Sequence, residues 1–212
     1  MPRSYRGIPA AAIFRAMNIP EPGPNLPRKG GAFRAAIGRA LLRVTGWRID
    51  PVLPDLPRFV VIAAPHSSNW DFIHGVALIF ALRLDIRFIG KAEIFRGPLG
   101  PIMRWLGGMP VDRTQPQGVV EQTIAMFDAH EKLIVALAPE GTRKPVAKWK
   151  SGFYRIAVGA GMPIVPGYFD NRRRVVGMGP PFHPTGDADA DLGELRAFYA
   201  ALPRRDHAGG GT

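Results

Sequence analysis

Two side chains beyond an apolar run give the first sign of chemistry: His66 and Asp71, in Pro65-His66-Ser67-Ser68-Asn69-Trp70-Asp71. An imidazole titrates near neutral pH, so it can take a proton from a hydroxyl while a carboxylate holds its other ring nitrogen. On one unbroken helix, residues five apart point about 140° away from each other, so a turn must separate the two. A capping Asp71 beside a structural His66 accounts for the same residues. The pair therefore gains meaning only from company.

That company stands beyond other apolar runs. Pro139-Glu140-Gly141-Thr142-Arg143 gathers a carboxylate, a flexible glycine, a hydroxyl and a guanidinium into one turn. Arg113 follows Met109–Asp112, and Lys91 follows Ile86–Gly90. Lys91, Arg113 and Arg143 converging at one place would make an anion site, arginine's fork being suited to phosphate. A metal centre drawn from His66, Asp71 and His74 matches no standard ligand spacing, so no metal is expected. His74 reads as packed inside its helix.

Such groups need a scaffold that delivers them to one edge. Phe59–Ala64 is continuously apolar, as a strand buried on both faces should be. Further strands are expected over Ile86–Gly90, Met109–Asp112, Leu133–Ala138, Ile164–Phe169 and Arg174–Met178. Helices are expected over Asp71–Leu82, Pro98–Leu106, Pro116–His130, Ser151–Ala160 and Leu192–Ala201. This alternation predicts an α/β fold with a largely parallel central sheet covered by helices on both faces. In such sheets ligands bind beyond the carboxyl ends of the strands, where His66, Lys91, Arg113 and Glu140 stand.

Four segments taken in order resemble one family. They are His66-x4-Asp71, Gly108-Met109-Pro110-Val111-Asp112-Arg113, Pro139-Glu140-Gly141-Thr142-Arg143 and Pro163-Ile164-Val165-Pro166. Together they are similar to the four motifs of the glycerol-3-phosphate and lysophosphatidate (1-acylglycerol-3-phosphate) acyltransferases, whose hallmark is the HX4D motif. Lys150-Ser151-Gly152-Phe153 resembles the helix start between the third and fourth motifs. The resemblance implies acyl transfer from acyl-CoA or acyl carrier protein to a hydroxyl of a glycerol-phosphate or lysophospholipid acceptor. It implies His66 as general base and Asp71 as its orienter. Arg113, Glu140, Gly141, Thr142 and Arg143 would bind the acceptor with Lys91 beside them, and Pro166 would shape the acyl-donor pocket. No cofactor is implied beyond the thioester co-substrate. Pro65, Asn69-Trp70, Ala138 and Lys144 depart from the commonest motif residues and leave an aminolipid or glycolipid precursor open as acceptor.

Composition narrows the classes further. The 212 residues contain no cysteine, which excludes thiolate nucleophiles and cysteine–zinc sites, and no G-x-S-x-G elbow is present. Direct transfer in a ternary complex is thus preferred over an acyl-enzyme. The formal charge is +11, and +7 of it lies in the first 50 residues, where nine basic groups face only Glu21 and Asp50. Residues 20–31 (PEPGPNLPRKGG) read as a connector. Beyond them Phe33, Ile37, Ala40, Leu41 and Val44 share one helical face, flanked by Arg34, Arg39 and Arg43. That pattern suits either a helix in an anionic membrane interface or an amphipathic helix packed on the domain.

The organisation expected is a basic helical segment over 1–50, a catalytic α/β domain over 51–205 and a flexible tail over 206–212. The longest uncharged run, Ile156–Phe169, has 14 residues, short of the ~20 that span a bilayer. A signal peptide is not expected, because Arg15 interrupts the early apolar stretch. A cytoplasmic protein peripheral to the membrane is therefore expected. The basic charge also fits nucleic acid, but no helix-turn-helix, zinc-finger or RRM signature accompanies it, so nucleic acid is not expected as a partner.

Overall fold

The computed structural model describes residues 19–64, 69–111, 116–140 and 149–202. His66, Arg113, Gly141, Thr142 and Arg143 lie outside the described residues, as do 1–18 and the expected tail.

Seven strands form one sheet in the order β1-β7-β6-β2-β5-β3-β4. The strands are β1 (Arg48–Ile49), β2 (Arg58–Ala63), β3 (Ile86–Lys91), β4 (Gly108–Val111), β5 (Leu133–Leu137), β6 (Ile164–Asp170) and β7 (Val175–Met178). From β6 to β4 every neighbouring pair is parallel; β7 runs antiparallel to β6, and β1 pairs parallel with β7. β2 sits in the middle, which explains its unbroken apolar run: Phe59, Val60, Val61 and Ile62 are all buried. The β6–β7 hairpin closes on Arg172-Arg173-Arg174, where the Asp170 carboxylate accepts the backbone N–H groups of Arg172 and Arg173 at 3.0 and 2.9 Å.

The helices are α1 (Ala32–Thr45), α2 (Asn69–Ala81), α3 (Gly100–Trp105), α4 (Pro116–Ala129), α5 (Gly152–Ala160) and α6 (Ala188–Ala201). The connections through α2 and α3 advance across the sheet in one direction, and those through α4 and α5 return in the other. Right-handed crossovers then put α2 and α3 on one face and α4 and α5 on the opposite face. Two apolar cores follow. Leu42, Ala77, Leu78 and Trp47 meet one side of the sheet, and Phe127, Phe153, Ile156 and Leu195 meet the other.

The N-terminal part differs most from expectation. Leu26, Leu42 and Trp47 are core residues, each contributing about 1.5–3 kcal/mol by burial, so residues 20–31 lie against the body rather than linking to it. α1 meets α2 closely at Gly38 and buries Ala35 and Leu42 beside it, while of the stripe that sequence periodicity selects Leu41 packs on the core. Phe33 stays 75% exposed and Val44 86%, with Ile37 exposed between them. Arg34 also departs from expectation and turns inward. Its guanidinium lies 4.2 Å from the Phe80 ring and 5.0 Å from the Trp105 ring, and donates to the Trp105 carbonyl at 3.1 Å. Burial pulls the Arg34 pKa down, with Asp85 opposing. α1 ends where Gly46 turns left-handed at φ 70°, and Trp47 then donates to the Leu42 carbonyl at 2.8 Å.

Candidate functional site

The carboxyl ends of β2, β5, β3 and β4 lie side by side. Ile62 is in register with Leu137, Phe88 with Ala136, and Lys91 with Val111. Adjacent strands are about 4.8 Å apart, so these four ends span about 14 Å, the scale of a lipid headgroup beside a thioester. Along the chain His66 comes three residues after β2, Glu140 three after β5 and Arg113 two after β4, while Lys91 ends β3. The fold thus brings the backbone of Lys91 and the half-buried Glu140 to the carboxyl edge of these strands.

Asp71 stands in the first turn of α2 and is buried. A carboxylate there is favoured by the unpaired N–H groups of the helix start, an effect of about 0.3–1 kcal/mol. One turn further, His74 is 4% exposed, as its placement inside the helix requires. Neither ring nitrogen of His74 has a hydrogen-bond partner. The ring stacks on Trp47 at 4.0 Å and lies 6.0 Å from the ring of Trp70. Burial lowers the His74 pKa, Asp71 pulling it the other way. The column Trp47–His74–Trp70 therefore props the start of α2 from the end of α1.

The turn after β5 is tied back by a bond from the Lys150 N–H to the Pro139 carbonyl at 2.8 Å, which starts α5 at the same edge. Trp149, just before it, packs edge-on against Phe153 at 6.0 Å and Tyr199 at 5.6 Å. Pro166 lies buried within β6 in register with Ile62, and its carbonyl accepts the Gly179 N–H at 2.7 Å.

Trp47, Trp149 and Tyr199 escape sequence reasoning. Tyr199, near the end of α6, places its hydroxyl 2.6 Å from the Ile62 carbonyl and 2.9 Å from the Gly167 carbonyl. It thus ties the last residues of β2 to the middle of β6. Burial drives the Tyr199 pKa well up, and Glu140 adds to the rise, so the phenol stays protonated and donates. A lone tyrosine in a C-terminal helix carries no motif, and nothing in the sequence marks it.

Comparison with known proteins bears on this arrangement. Two 1-acyl-sn-glycerol-3-phosphate acyltransferases, from Salmonella typhimurium and Salmonella typhi, are each 25% identical over 165 residues. Each alignment covers 73% of this chain and 65% of the relative, so the chain spans just under two thirds of their length. The crystal structure of the 1-acyl-sn-glycerophosphate (LPA) acyltransferase PlsC from Thermotoga maritima shares the fold. Its TM-score is 0.56 at 18% identity, covering 82% of this chain and 80% of that one. The Acyltransferase family model matches residues 48–170, which run from β1 to the end of β6 and hold all four motif segments. The chain belongs to the Acyltransferase family.

Proposed function

We propose that this protein transfers a fatty acyl group from acyl-CoA or acyl carrier protein to a hydroxyl of a phosphate-bearing lysolipid, a 1-acylglycerol-3-phosphate or a close analogue. The observation that carries the reading is the side-by-side alignment of the parallel strands β2, β5, β3 and β4, whose members β2, β5 and β4 lead along the chain into three of the four motif segments. His66 takes the hydroxyl proton as the oxygen attacks the thioester carbonyl. The C–S bond then breaks, and the departing sulfur recovers the proton from the imidazolium. Asp71 holds the ring and balances its charge; such a base contributes about 10²–10⁴-fold. Arg113, Arg143 and Lys91 receive the phosphate, with Glu140, Gly141 and Thr142 forming the acceptor turn. Pro166 borders the donor chain.

The acceptor reaches the enzyme from a lipid surface. The exposed Phe33, Ile37 and Val44 on α1, with Arg39 and Arg43 beside them, support docking on an anionic membrane. Among the described residues no helix is long and apolar enough to cross a membrane.

Incubation with mixed acyl-CoAs and acylated acyl carrier protein plus a panel of lysolipids, with products read by mass spectrometry, tests the reading. One diacyl phospholipid product is expected, and His66→Ala abolishes it with the fold intact. Normal turnover in that variant would overturn the mechanism, and a product on an aminolipid or glycolipid alone would replace the acceptor.

A further inference from the structure

Apolar exposure is concentrated on one face. Among the described residues, eight of the ten exposed large apolar side chains lie on α1, at the start of α2 and within residues 92–105, which run from the turn Ala92–Phe95 through α3. Beyond those of α1 and Trp70 they are Ile94, Leu99, Ile102 and Trp105, with Leu99 at 58% and Ile102 at 49%. α3 is joined to α1 directly, because Arg34 both stacks on Trp105 and bonds its carbonyl. The two exposed sets therefore belong to one layer. Large exposed apolar patches on a soluble domain mark a docking surface.

Charge divides the same way. Across α1, α2 and residues 92–105, five arginines (34, 39, 43, 96 and 104), Arg34 among them turned inward, stand against two acids, Asp71 and Glu93. Asp71 is buried, so it adds little to the outer surface. On the opposite face α4, α5 and α6 carry five acids (121, 128, 189, 191 and 194), of which Asp191 is buried, against Arg155 and Arg196. An apolar, cationic face backed by an anionic one is complementary to an anionic bilayer.

We infer that the turn Ala92–Phe95 and α3 form a second bilayer contact, which with α1 sets the tilt of the protein on the membrane. The inference rests on the membrane docking of α1 proposed above and extends it to a different element. The turn follows β3 at the carboxyl edge of the sheet, so Ile94 and Leu99 meet the lipid close to the site while Trp105 meets it farther away. Arg96 and Arg104 remain exposed beside these residues and reach headgroup phosphates.

Co-sedimentation with phosphatidylcholine vesicles containing phosphatidylglycerol tests this on the full chain. Leu99→Glu/Ile102→Glu should lower the vesicle-bound partition coefficient about tenfold or more, and Leu99→Ser/Ile102→Ser should lower it to a lesser degree. Val158→Glu, on the opposite face, should leave it unchanged. Circular dichroism melts check that each variant is folded. Wild-type partitioning in folded Leu99→Glu/Ile102→Glu and Leu99→Ser/Ile102→Ser proteins overturns the inference. If Phe33→Glu/Ile37→Glu releases the protein while both α3 variants stay bound, the docking of α1 stands and that of α3 falls. A wild-type protein that ignores the vesicles sinks both.

Discussion

Gly38 of α1 and Ala77 of α2 approach so closely that a Cβ at Gly38 would stand 2.5 Å from the Ala77 carbonyl oxygen. The same carbon would meet the Ala81 nitrogen at 2.5 Å and the Phe80 Cβ at 2.8 Å. These are backbone atoms and the base of a side chain, with little room to give. In a free helix Gly→Ala would gain about 0.8–1 kcal/mol, whereas overpacking here costs about 1–3 kcal/mol, so packing decides the sign. Gly38→Ala is expected to lower the thermal midpoint in a calorimetric scan. A midpoint equal to or above that of the wild type would mean that α1 does not pack on α2 through this residue.

His74 provides a pH test. Its folded-state pKa lies below the ordinary 6.5 because burial disfavours the charged ring. As pH falls below about 6.5 the unfolded chain takes up the proton first, so stability held at neutral pH is lost toward acid. Asp71, the charged group that acts on the ring, opposes this loss. His74→Phe keeps an aromatic ring between Trp47 and Trp70 and removes the proton site. Urea unfolding at pH 7.5 and 5.5 should show a smaller acid loss in the variant than in the wild type. Equal losses would show that His74 does not titrate out of a buried neutral state.

Parts of this architecture are legible in the sequence for a definite reason. A strand buried on both faces must be apolar throughout, and Phe59–Ala63 and Leu133–Leu137 satisfy that rule within a residue of their observed ends. The chain position of Glu140 follows, three residues beyond such a run, while Asp71 opens the apolar helix α2 and Lys91 ends the mixed strand β3. The contact face of α1 does not follow. Hydropathy selects Phe33, Ile37 and Val44, whereas the observed contact selects small residues, Ala35 and Gly38, that let two backbones approach. Two-residue β1 has no period to read, and it exists because Arg48 and Ile49 pair with Val175 and Val176, far along the chain. His66, Arg113 and Arg143 are assigned by motif, and their chain positions follow the ends of β2, β4 and β5.

Tyr199 leads to the sharpest test of positioning. Its hydroxyl bonds the Ile62 and Gly167 carbonyls at 2.6 and 2.9 Å, at the end of the strand that leads into His66. Tyr199→Phe preserves the ring against Trp149 and Phe198 and removes only those bonds. The stability cost should be about 1–3 kcal/mol in urea unfolding, the range for a buried hydrogen-bonded hydroxyl whose partners lose it. If the clamp serves only the fold, turnover of the folded variant is unchanged at low temperature. If it also fixes the exit of β2, kcat falls by about tenfold while the KM for the acyl donor holds, because small misplacement of a base is paid in rate. The second outcome is expected. The reason is that Tyr199 bonds the strand that precedes His66 in the chain and lies within electrostatic reach of Glu140, so under the proposed mechanism a shift of that strand is read in the rate.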